Sequence, residues 1–160
     1  MSKNWMGVCT VIGLTAVAAM CGGAADGAWK SPSTGAWSDS GKWVDGVIAG
    51  SGGVATFQGS SGYYEITNDM GTVVLSGFRS NPDSTPDSIA TDWRLVGGIF
   101  ELISPALLDT TAHGINLRRT TLTGNTDVTI TGPGRTFLGD DNLFTGRTIV
   151  SNGNARVARD

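Results

Sequence analysis

The sequence has 160 residues, enough for one modest domain with its own core and hardly enough for two. Hydrophobic residues at 39% and charged residues at 16% exclude a disordered chain, and 24 glycines scattered among Ser, Thr, Asn and Asp argue against long helices. A net charge of −3 makes nucleic acid a poor partner, because phosphate binding needs a basic footprint.

In chain order, the first segment reads as a cleavable signal peptide over residues 1–25. Lys3 supplies the positive start, and residues 8–20 (VCTVIGLTAVAAM) form an apolar run of the length used by exported leaders, short of a membrane span. Gly23 and Ala25 meet the small-x-small requirement for cleavage after Ala25, with cleavage after Ala19 or Ala28 as the alternatives. A buried helix would need polar positions at helical spacing on its outer face, and this run has almost none. Cys9 and Cys21 both lie within the leader, so the mature chain is expected to carry no disulfide, no Cys-based metal site and no transmembrane segment. Acylation of Cys21 is disfavoured by the bulky Met20 before it.

Beyond the leader, short runs of β-branched and aromatic residues alternate with Gly, Asn, Asp and Ser, the pattern of strands punctuated by turns. Strands are predicted over 54–57, 63–67, 72–78, 93–96, 99–103, 114–117, 120–123, 126–130, 135–138, 147–150 and 154–157. In Asp127-Val128-Thr129-Ile130 every second side chain is apolar, a period of two rather than 3.6. The inward positions assigned in the first half are Val54, Phe57, Ile66, Val74, Leu95 and Ile99. Those of the second half are Leu117, Leu122, Val128, Ile130, Leu138, Ile149 and Val157. Residues 80–92 (SNPDSTPDSIATD), with two prolines, are predicted to be a loop insertion between strands. From about residue 115 onward strands recur every six to ten residues with glycines between them, as in a β-solenoid whose stacked coils share one core. A β-sandwich of antiparallel hairpins is the alternative. The predicted organisation is therefore a leader over 1–25, an N-terminal cap with the first β coils over 26–79, the insertion over 80–92, and further coils over 93–160.

Residues 132–157 (GPGRTFLGDDNLFTGRTIVSNGNARV) resemble the repeat associated with bacterial autotransporter passenger domains. Gly132 and Gly134 match its first glycine pair, Phe137-Leu138-Gly139 its first strand exit, Asn142 with Phe144-Thr145-Gly146 its middle turn, and Val150 with Gly153 its last strand and turn. Arg135 and Arg147 stand where the family more often has small polar residues. Trp37-Ser38, Trp43, Gly46, Ala55-Thr56-Phe57 and Tyr64-Glu65-Ile66 are similar, more loosely, to the starts of large secreted proteins carrying these repeats. The resemblance implies an all-β, right-handed parallel β-helix of pectin-lyase-like architecture, secreted or displayed at the bacterial cell surface, where it serves structure or adhesion. It implies surface glycans or the surface of a host or neighbouring cell as partners. Such proteins are usually longer, so further repeats or a C-terminal translocator are expected beyond the residues given.

No catalytic constellation stands out. His113, the lone histidine, lies beside Gly114 and reads as a turn residue. Asp140, Asp141 and Asn142 form the most oxygen-rich cluster, and with Asp127 or Asp109 they offer the ligands calcium prefers. The cluster lacks EF-hand spacing and does not repeat, so turn formation is its reading and no metal or cofactor is expected. Residues 50–53 (GSGG) are followed by neither Lys-Ser nor Lys-Thr, which argues against a phosphate loop. Trp29, Trp37 and Trp43 have two readings: an aromatic platform for a sugar ring, or bulky covers for the open N-terminal end of a solenoid. The expected function is thus a non-enzymatic passenger-type surface protein. The alternatives are a carbohydrate-binding module using those three tryptophans and, by fold analogy alone, a β-helical polysaccharide-degrading enzyme.

Overall fold

The structure, a computed structural model, describes residues 23–30, 33–58, 62–81, 92–139 and 142–157. The predicted leader, except for residues 23–25, and the core of the predicted insertion lie outside the described residues. The remainder is mostly strand: β1 Gly27–Trp29, β2 Gly35–Ala36, β3 Gly53–Gln58, β4 Tyr63–Thr67, β5 Thr72–Asn81, β6 Asp92–Asp109, β7 Gly114–Thr123, β8 Val128–Leu138 and β9 Thr148–Val157. Two short 3-10 turns, Ser40–Lys42 and Val44–Gly46, are the described helical elements. Among the described residues no helix is long and apolar enough to cross a membrane.

Every pairing between these strands is parallel, so an antiparallel sandwich does not describe them. The register resolves into three ladders, because the long strands bend and hand successive segments to different neighbours. The first ladder carries the column Gly27, Ala55, Phe78, Leu108, Ile130 and Val150. The second carries Tyr64, Trp93, Ile115, Thr136 and Ala155. The third carries Val73, Phe100 and Leu122, ending on a bridge to Asn142. These columns point inward, and apart from Tyr64, Ala155, Val150 and Asn142 their members are buried.

The core changes character along the stack. At the N-terminal end it is aromatic: Trp37 meets Trp43 and Phe100 with centroids 4.9 Å away in each case, and Phe57 stacks on Trp93 at 5.3 Å. Beyond Leu102 it becomes aliphatic, with Leu108, Ile115, Leu117, Leu122, Val128 and Ile130 all fully buried. Burying each such side chain stabilises the fold by about 1.5–3 kcal/mol.

The bends need particular residues. Within β6 the backbone turns at Gly97 and Gly98, both at positive φ, and again at Ser104. Gly124 has φ 127°, and a Cβ there would lie 2.1 Å from the Leu102 carbonyl oxygen, so no other residue fits without moving the adjacent strand. Side chains close the inner corners: buried Asn68 donates from Nδ2 to the carbonyls of Gly71 (3.2 Å) and Ile99 (3.1 Å) and accepts from the Met70 N–H (3.0 Å). Thr110 Oγ1 donates to the Thr131 carbonyl at 2.9 Å. These bonds satisfy main-chain groups that a turning strand leaves without ladder partners.

The predicted inward set is corrected at four positions. In β3 the buried residues are Gly53, Ala55 and Phe57, which leaves Val54 on the outer face. In β5 Val73 and Leu75 are buried in place of Val74, and in β6 Phe100 and Leu102 are buried while Ile99 is exposed. Each error falls in a run of consecutive or closely spaced apolar residues, where alternation does not choose a face. Ile149 is 40% exposed, because it pairs with Thr129 on the outer face, while its neighbour Val150 continues the inward column of Leu108 and Ile130. Phe57, Ile66, Leu95, Leu117, Leu122, Val128, Ile130 and Leu138 are buried, while the side chain of Val157 lies outside the described residues. The insertion is also narrower than predicted: Ser80 and Asn81 complete β5, and Asp92 begins β6.

Candidate functional site

The three tryptophans proposed for sugar binding are fully buried. Trp43 receives the edges of Trp29 and Trp37, with centroids 5.1 and 4.9 Å away. Their indole N–H groups donate to main-chain carbonyls, Trp29 to Ser33 (3.0 Å), Trp37 to Ala49 (3.1 Å) and Trp43 to Trp37 (2.8 Å). These rings fill the N-terminal end of the core, and no indole face is left open to a pyranose.

His113 is buried at the corner between β6 and β7, held through its main chain. Ser80 Oγ accepts from the N–H groups of Ala112 (3.2 Å) and His113 (3.1 Å) and donates to the His113 carbonyl (3.1 Å). Of the oxygen-rich cluster, Asp140 and Asp141 lie outside the described residues, and Asn142 donates from Nδ2 to the Gly139 carbonyl. Asp127 is engaged by Arg147 and Asp109 by Thr111 and Arg79, so neither carboxylate is directed at Asn142 by these contacts. Among the described residues no three His, Cys, Asp or Glu side chains gather as metal ligands. Residues 50–53 form the turn into β3, where the Gly52 N–H donates to the Val74 carbonyl at 2.8 Å.

A polar concavity lies on the outer face of the second ladder, a cavity of about 340 Å³ lined chiefly by Tyr63, Asp92, Arg94, Asn116, Arg118 and Arg119. Its residues come from β4, β6 and β7, and parallel register is what brings them together. Tyr63 pairs with Asp92, Glu65 with Arg94, and Arg94 with Asn116. The Arg94 guanidinium sits 4.8 Å from the centre of the Tyr63 ring, while Tyr63 itself remains 63% exposed. Arg118 lies 4.4 Å over Phe137, a cation–π contact that holds the guanidinium against the wall. Its Nε–H is buried with no acceptor among the described residues. Arg119 reaches Glu65 at 3.8 Å across open solvent, an ion pair of small strength.

Asp92 is the half-buried carboxyl of this cleft. Burial pushes its pKa above the ordinary aspartate value, and the charges of Arg94, Arg135 and Arg118 oppose that rise. Four guanidiniums thus gather about two carboxylates, Asp92 and Glu65, on a chain whose overall charge is negative. The arrangement is built to hold anions: guanidiniums supply fixed forks of N–H donors, Asn116 an amide, and Tyr63 a flat apolar face beside a hydroxyl.

Sequence reasoning did not assemble this cleft. Its signals were present, since Arg118-Arg119 is a rare adjacent basic pair in a weakly charged chain and Arg94 precedes it by about one coil. No comparison with protein-family models, curated proteins or solved structures gives a match for this chain.

Proposed function

We propose that this chain is an exported structural and adhesive protein, a right-handed parallel β-helix of the autotransporter-passenger type whose outer faces do its work. The observation that carries the reading is the set of three parallel ladders closing on one core, column upon column, with bends made by glycines and buried polar corners. Stacked coils of this kind give an extended, stiff body whose surface is exposed ladder rather than enclosed pocket. The apolar run over residues 8–20 supports export, and the resemblance of residues 132–157 to the passenger repeat supports the class. The reading assigns the chain no catalysis. Its polar cleft holds the guanidiniums of Arg94, Arg118 and Arg119 beside the carboxyls of Asp92 and Glu65, a set suited to holding a charged ligand.

The test is expression of the full chain in a Gram-negative host, followed by fractionation and N-terminal sequencing. The reading expects an exported product beginning at Asp26, with the far-ultraviolet dichroism of a β protein and resistance to limited proteolysis. A product that stays in the cytoplasm with residues 1–25 intact overturns it.

A further inference from the structure

We propose that the cleft between β4, β6 and β7 is a binding site for acidic polysaccharide, with Arg94, Arg118 and Arg119 gripping carboxylates on successive sugars and Tyr63 stacking on a ring. This deepens the adhesive reading by naming where the surface binds and what it binds. It rests on the parallel ladders of that reading and not on export.

Geometry points to a linear polymer. Neighbouring strands of a parallel ladder stand about 4.8 Å apart, close to the advance of one sugar unit along a chain. The charges stand on two neighbouring strands, Arg94 on β6 and Arg118 and Arg119 on β7, a spacing that suits carboxylates on adjacent units of a polymer. A guanidinium fork matches a carboxylate in two parallel hydrogen bonds, which a lysine cannot do. Tyr63, largely exposed and already lying against Arg94, presents the apolar face on which a pyranose stacks, and Asn116 can both donate to and accept from hydroxyls.

Nucleic acid fits less well. A single exposed ring gives no succession of stacking platforms, and the chain as a whole is anionic, so the long-range field that gathers phosphate backbones is absent.

The test is calorimetric titration of the full-length chain with a (1→4)-linked uronic acid oligomer and with its carboxyl-reduced, neutral counterpart. A single-stranded oligonucleotide and inorganic phosphate are titrated alongside. The uronate is expected to bind saturably and more weakly as salt rises, with the neutral oligomer at least tenfold weaker, a difference on the scale of one charge-assisted hydrogen bond. Arg94→Gln and Arg119→Gln are each expected to weaken uronate binding about tenfold. Glu65→Gln, which releases Arg119 from its ion pair, is expected to tighten it about two- to fivefold. Arg147→Gln, outside the cleft, should leave it unchanged and so controls for overall charge. Because Glu65 is a half-exposed carboxylate, its variant keeps the test decisive should an arginine variant fold poorly.

Equal binding of acidic and neutral oligomers, unchanged affinity in both arginine variants, or an equal loss in Arg147→Gln would overturn the proposal. Tighter binding of the oligonucleotide or of phosphate would overturn it in favour of a phosphate site. An exported, well-folded chain that ignores the uronate removes this inference alone, and a cytoplasmic product that still binds it removes the export reading alone.

Discussion

Arg147 closes on Asp127 from the next turn of the chain through three bonds: its Nη2 and Nε lie 2.6 and 3.1 Å from Oδ2, and its own backbone N–H donates to Oδ1 at 2.9 Å. The carboxylate thus ties the start of β9 to the start of β8 through both side chain and main chain. These bonds hold the Asp127 carboxyl below its ordinary value, the guanidinium contact contributing most, then the backbone N–H.

The sign of the pH effect follows from that lowering. A carboxyl whose folded pKa is depressed adds stability that is complete above its unfolded value, here 3.8, and that fades as pH falls through the folded value. Asp127→Asn should therefore melt below wild type at neutral pH, and the gap should close on acidification well under pH 3.8. Thermal melts of both proteins across this range check it. A gap that persists in acid would assign the effect to packing.

Asp92 should behave in the opposite sense. Its folded pKa is raised by burial, so its ionised form opposes folding at neutral pH, and that penalty disappears as pH falls and the group protonates. Asp92→Asn is expected to raise the melting temperature at neutral pH, with the gain shrinking as acidification protonates the wild-type carboxyl. By removing a negative charge from among Arg94, Arg118 and Arg135, it should also strengthen anion binding in the cleft. Equal melting of the two proteins at neutral pH would show that the arginines already offset the burial in full.

The turn at Gly124 admits a sharper test. Gly124→Ala places a methyl group 2.1 Å from the Leu102 carbonyl oxygen at a φ of 127°, so both strain and collision oppose it. We expect a loss of about 2–4 kcal/mol in urea unfolding, where Gly71→Ala, at positive φ but with nothing within 4 Å, should lose about 1 kcal/mol. Similar losses at both glycines would show that the adjacent strand yields.

Where strands lie was legible because β-branched and aromatic alternation is a local property, and β4 matches its predicted limits, Tyr63–Thr67. β1 and β2 escaped notice because Gly-Ala-Trp and Gly-Ala carry little of that signal, and their pairing comes from partners some 30 residues away. Residues 106–109 were missed for a different reason. Ser104-Pro105 reads as a stop, yet Ser104 takes positive φ and the chain bends there into the first ladder, burying Ala106 and Leu108. The cleft was illegible because register alone joins Arg94 to Asn116 and its neighbours, and coil lengths here are too unequal for register to be counted from sequence.

Val128 offers the most direct probe of the stacked core. It is fully buried, begins β8, pairs with Ala106 on one side and Thr148 on the other, and so stands in the first ladder between β6 and β9. Val128→Asp puts a carboxylate into that apolar stack, an uncompensated burial expected to cost about 3–5 kcal/mol unless the carboxyl protonates. Val128→Ala, which only removes methyl groups, should cost about 1–3 kcal/mol by the same unfolding assay. Because each strand of the parallel sheet packs on the next, the aspartate should loosen β9 before the N-terminal strands, giving early proteolytic cleavage after Arg147 while the aromatic end around Trp37 keeps its buried tryptophan fluorescence. Wild-type thermal stability in Val128→Asp would mean that this position faces solvent and that β8 does not stack between β6 and β9 in the register Ala106, Val128, Thr148.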